Sequence, residues 1–146
     1  MGGFVDDYLA YLLARASHLI SSEFHAVVQA SGLSLMEWRV MASLSGKEAL
    51  SIGELADIVL AKQPTVTKLV GRMEEAGWIR RIDASHDKRQ SLVSLTPVGQ
   101  RKVKPLLVKA RAHEMAVMTE LGSEQADQLK QVLEQLIASH RTPRSA

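Results

Sequence analysis

Gln63, Pro64, Thr65, Thr67, Lys68 and Arg72 cluster in one short stretch, and Asp87, Lys88 and Arg89 follow in a polar segment downstream. These residue types suit recognition of a polyanion. Lys and Arg neutralise phosphates, either can meet a guanine edge, and Thr can touch a thymine methyl or a phosphate oxygen. Between Lys62 and Arg111, twelve Lys and Arg stand against four Asp and Glu, a net +8 in a chain whose formal total is +2. The rest is therefore acidic. Such a distribution implies one surface that meets a polyanion and another that does not, with a merely solvated basic face as the alternative.

Catalytic chemistry finds no comparable cluster. His113-Glu114 runs on as Met115-Ala116-Val117 and lacks the second histidine of a zinc-hydrolase helix. The sequence has neither a glycine-rich phosphate loop nor a Gly-x-Ser-x-Gly elbow, and His18, His25, His86, His113 and His140 are scattered. The expectation is a protein that is not an enzyme, with no catalytic residues, no metal and no cofactor. With no cysteine in 146 residues, disulfides, thiolate metal sites and cysteine redox sensing are excluded.

Helices and a hairpin must position these side chains. Val5, Tyr8, Leu9, Leu12, Ala16, Leu19 and Val27 keep close to a 3.6-residue period, which predicts one long helix from Val5 to about Ser31, with Gly32 at its C-terminal cap. Ser34 with Glu37, and Ser51 with Glu54, form two capping boxes, each opening a short helix. A turn over Leu60-Ala61-Lys62-Gln63 then leads to Pro64 at the first position of a helix reaching about Ala76. Its stripe of Val66, Leu69, Val70 and Met73 packs inward, leaving Thr65, Thr67, Lys68 and Arg72 outside.

After Gly77, two β-prone runs, Trp78 to Ile82 and Ser91 to Leu95, flank a polar loop and predict a two-stranded hairpin. Thr96-Pro97 opens a fifth helix to about Leu121, with Pro105 inside it, and Ser123 opens a sixth carrying Leu129, Val132, Leu133, Leu136 and Ile137 on one face. The chain is thus mainly α with a small β-hairpin wing. It reads as a winged helix-turn-helix DNA-binding lobe over residues 34–99 and a helical dimerisation lobe from 4–32 and 100–140, with a loose tail at 141–146. The apolar stripes of the terminal helices exceed what a small winged-helix core covers, which implies a homodimer, with intramolecular packing as the alternative.

Gly77-Trp78-Ile79-Arg80-Arg81, His86-Asp87-Lys88-Arg89 and Leu92-Val93-Ser94-Leu95-Thr96-Pro97-Val98-Gly99 together resemble the wing of MarR-family transcriptional regulators. Leu35 to Met41 is similar to that family's second helix, and Val66 to Met73 to its recognition helix. The resemblance covers nearly the whole chain. It implies a two-fold dimer on a palindromic double-stranded DNA operator, with recognition helices in successive major grooves and wings in neighbouring minor grooves.

By the same resemblance, Arg89 matches the arginine inserted into the minor groove and Asp87 the carboxylate that braces it. Many members repress genes and release DNA when a small aromatic or phenolic anion binds between the lobes. Residues Tyr8, Tyr11, Arg15, His18, Met36, Trp38 and Met41 are the expected effector contacts, although aromatic and Met side chains at helical spacing also serve as ordinary core. A ligand-independent architectural DNA binder and a winged-helix protein assembly module stay open as alternatives.

The N-terminus carries early acids where a secretion signal has basic residues, and the longest apolar run, Tyr8 to Ala14, stops at Arg15. The expectation is a cytoplasmic protein without membrane association.

Overall fold

The computed structural model describes residues 2–83 and 91–141. In chain order these form α1 (Leu9–Ala30), α2 (Leu35–Leu44), β1 (Leu50–Ser51), α3 (Ile52–Val59), α4 (Gln63–Glu75), β2 (Ile79–Asp83), β3 (Ser91–Leu95), α5 (Pro97–Leu121) and α6 (Ser123–His140). Two compact units divide the chain, residues 1–108 and residues 109–146, and α5 runs through the boundary. The first helix and the start of α5 belong to the same unit as α2–α4 and the sheet.

The helix starts follow from local chemistry. Ser34 Oγ accepts from the Glu37 amide at 3.1 Å while Glu37 Oε1 accepts from the Ser34 amide at 2.7 Å. Ser51 and Glu54 repeat the exchange at 3.0 and 3.1 Å. Each pair satisfies two amides that a helix N-terminus would otherwise leave bare.

At the chain start the structure differs from the sequence expectation of one helix from Val5. Phe4–Asp6 instead form a short 3-10 turn, closed by Asp6 Oδ2 accepting from the Gly3 amide at 2.7 Å. Asp7 leaves helical geometry, Tyr8 is extended, and α1 begins at Leu9. The local carboxylate contact competes with helix continuation, as Asp commonly does.

Two further boundaries shift. Gln63, expected in the turn, is the first residue of α4, and Pro64 is the second; the Lys62 carbonyl accepts from the Val66 amide at 3.1 Å. Pro64 still falls among the first four residues, whose amides have no intrahelical partner. The sheet has three strands in the order β1-β3-β2, not two, because Leu50 and Ser51 pair antiparallel with Val93 and Leu92. In β2–β3 the register runs from Ile79 opposite Leu95 to Asp83 opposite Ser91.

The core of the first unit gathers Val40, Met41 and Leu44 of α2, Leu55 and Val59 of α3, the whole α4 stripe, and Ile79 and Val93 of the sheet. Val28 and Phe24 bring α1 into it, the Phe24 ring lying 5.5 Å from the half-buried Trp38 ring. α5 runs unbroken through Pro105, which removes one backbone donor from its ladder.

Leu60 closes α3 in the left-handed region, φ 60° and ψ 46°, with its side chain 90% exposed. A β-carbon is strained there and this one buries nothing in return. Leu60→Gly is expected to stabilise the protein by about 1 kcal/mol, read as a raised denaturation midpoint.

In the second unit, Glu114 accepts from Lys130 Nζ at 2.7 Å and from Arg111 Nη1 at 2.8 Å, tying α5 to α6. These bonds, first Lys130 and then Arg111, hold the Glu114 carboxyl below its ordinary pKa. A depressed carboxyl pKa adds stability that is present above the unfolded-state value and is lost as pH falls through the folded one. Lys130→Met should therefore bring the Glu114 carboxyl signal in an NMR titration back toward the ordinary range. An unmoved titration would remove this pair as the cause.

Candidate nucleic-acid interface

Helix α4 separates its two faces cleanly. Val66, Leu69, Val70 and Met73 are all buried, whereas Gln63, Pro64, Thr65, Thr67, Lys68 and Arg72 are all exposed. The buried stripe sits on α3 and on β2. Because side chains three and four apart share a helix face, burying that stripe aims the polar set outward as a single surface. No carboxylate among the described residues pairs with Lys68 or Arg72, so both cations are available to an incoming anion.

Two devices fix the hairpin against this helix. Arg81 on β2 donates its backbone amide to Glu74 Oε2 at 3.3 Å and sets its Nε 3.6 Å from Glu74 Oε1. The same guanidinium reaches the Thr67 carbonyl at 3.5 Å. This pairing was absent from the sequence expectations, since its partners meet only after the chain reverses at Gly77 (φ 85°).

The second device is a clasp at the base of the hairpin. Thr96 Oγ1 donates to the Gly77 carbonyl at 2.6 Å and accepts from the Gly99 amide at 3.0 Å. The Thr96 amide donates to the Trp78 carbonyl at 3.0 Å, and Gly99 lies against that same carbonyl. Lys102, one turn on, sets its Nζ 5.2 Å from the Trp78 ring centre and 3.4 Å from the Ser31 carbonyl at the end of α1. Both are favourable places for a cation, over an aromatic face and at a helix C-terminus.

The remaining expected contacts are placed as follows. His86, Asp87, Lys88 and Arg89 lie outside the described residues; β2 ends at Asp83 and β3 begins at Ser91. Tyr8 precedes α1 with its ring 4.7 Å from Phe4, while Tyr11 Oη accepts from Arg15 Nη1 at 3.0 Å and His18 is exposed. On α2, Met36 and Trp38 are half-buried, and Met41 is wholly inside the core, leaving it no surface.

This geometry has close counterparts. The sequence pattern of the MarR family matches residues 31–90. A solved MarR family transcriptional regulator from Silicibacter pomeroyi DSS-3 is 36% identical, with a TM-score of 0.84 over 96% of this chain and 100% of that one. The chain belongs to the MarR family. It is accordingly a DNA-binding transcriptional regulator with a winged-helix fold, and its relatives are regulators, not enzymes.

Another relative is the homoprotocatechuate degradative operon repressor of Escherichia coli, 26% identical over 132 residues, covering 90% of this chain and 89% of that protein. NadR, solved in complex with 4-hydroxyphenylacetate, shares the fold at a TM-score of 0.83 and 23% identity, over 88% of this chain and 92% of that one. Among the described residues, no helix of this MarR-family chain is long and apolar enough to cross a membrane.

Proposed function

We propose that this protein is a dimeric repressor that holds a palindromic operator and releases it on binding a small aromatic anion. The outward face of α4 carries the reading, with Gln63, Pro64, Thr65, Thr67, Lys68 and Arg72 exposed opposite the buried stripe. N-terminal residues of such a helix approach base edges first. Residues 34–99 form the DNA-binding lobe in this reading, and 4–32 with 100–140 the dimerisation lobe. Supporting the dimer, each compact unit leaves large apolar side chains open: Phe4, Leu9, Leu12 and Leu19 in the first, and Leu129, Val132 and Ile137 in the second.

Chemistry named for the relatives supports the ligand class. Homoprotocatechuate, from the Escherichia coli repressor's name, and 4-hydroxyphenylacetate, from the NadR complex, are both hydroxylated phenylacetic acids. Tyr8, Tyr11, Arg15, His18, Met36 and Trp38 are the side chains assigned to such an effector, with Met41 behind them in the core.

Sheared DNA from the source genome, incubated with the protein at physiological salt and sequenced after retention, tests the reading. A short enriched palindrome with half-sites about 34–36 Å apart is the expected result. Retention of mixed sequence would favour an architectural binder, and no retention would favour a protein assembly module. Arg89→Ala should weaken binding to that operator by at least about tenfold, because an arginine in a narrow minor groove meets an enhanced negative potential. Unchanged affinity would take the wing out of the mechanism.

A further inference from the structure

A cleft of about 520 Å³ opens between the end of α2, the loop that follows it, the hairpin strands and the first turns of α5. It shares no residue with the seven effector candidates and none with the exposed face of α4. Its volume falls in the range of sites for small organic ligands. Three cations line it from three different segments: Lys47 from the loop, Arg80 from β2 and Lys104 from α5. Glu48 is the single acid in the lining, and among the described residues it forms no ion pair with any of the three.

Arg80 is aimed rather than free. Its Nε donates to Ser94 Oγ at 3.4 Å across the β2–β3 pair, and Ser94 is the one buried polar residue among the described residues. A guanidinium held on one edge keeps its other donors in a fixed fork, the geometry that suits a carboxylate. Behind the cations, the half-buried Leu95 and Leu107 offer apolar surface, and Leu44 and Val103 close the floor beneath them with almost no accessible surface of their own. Three like charges around one cleft repel one another until an anion joins them.

We propose that this cleft is a binding site for a small organic acid, its carboxylate held by Arg80, Lys104 and Lys47 and its apolar body laid on Leu95 and Leu107. A ligand so placed bridges the hairpin strand β2 to α5 and to the loop before β1. It would restrict the hairpin base from a position separate from the DNA-contacting face. The binding claim stands without the repressor reading, and its test uses no DNA.

Cinnamate titrated into the full chain, followed by backbone amide NMR, is the experiment. Saturable shifts are expected at Ser45 to Glu48, Ser94 to Leu95 and Gln100 to Lys104, with uncharged cinnamamide at least about tenfold weaker. Arg80→Gln and Lys104→Gln should each weaken cinnamate by about tenfold, the loss of one charge-assisted hydrogen bond. Lys104 is exposed on α5, so its variant tests the site even where Arg80→Gln disturbs the Ser94 contact. Shifts confined to α1 and Trp38, or affinity unchanged in Lys104→Gln, would overturn the site.

Discussion

Gly99→Ala should destabilise the fold by about 3 kcal/mol and take DNA binding down with it, the upper end of what overpacking costs. A methyl group at Gly99 would overlap the Trp78 carbonyl oxygen, lie 2.9 Å from its carbonyl carbon and press on Leu95 Cδ2 at 3.2 Å. The first two obstacles are backbone, and that backbone is held by the Thr96 clasp, so relief requires breaking the clasp. Chemical denaturation reads the loss directly. Gly71→Ala supplies the contrast: a methyl there finds only Arg81 Nη2 at 3.8 Å, ordinary contact, and a glycine inside a helix gives way to alanine with a gain of about 0.5–1 kcal/mol. Equal midpoints for the two variants would show that close approach at Gly99 is not what the turn depends on.

Lys68→Glu is expected to cost operator affinity at least about tenfold while leaving the fold intact, with the salt dependence shallower by about one unit of slope or more. Lys68 is exposed beside the buried stripe, Glu and Lys have similar helix propensity, and a Glu there could pair with Arg72 one turn on. Stability should therefore hold, which isolates the charge. Affinity and salt slope come from one binding series at several salt concentrations. Wild-type affinity in a fully folded variant would remove the outward face of α4 from recognition.

The elements of the candidate DNA interface are legible because their signals are local. Capping boxes at Ser34 and Ser51, the i, i+3, i+4, i+7 stripe of α4, and Gly77 at its end each sit within a few residues of what they determine. The misses have the opposite character. Strand β1 is only two residues long and has no period of its own; it exists because β3 offers a free edge far along the chain. Leu60 gives no sign of a left-handed cap, since Gly or Asn usually marks one. Arg81 with Glu74, Lys102 with Trp78, and the cationic cleft all join segments that meet only in the folded chain. Gly99 was legible as part of a motif, but its physical reason, the Trp78 carbonyl, was not.

The strand order β1-β3-β2 also bears on how the chain emerges during synthesis. The central strand is the last of the three to be made, so neither neighbour has a partner until Ser91–Leu95 has left the ribosome. Helices α2, α3 and α4 rest on local contacts and can form earlier, while both sheet ladders close at once around one late segment. A nascent chain stalled before Leu95 would therefore display finished helices beside two bare strand edges, the state most exposed to pairing with a neighbouring chain.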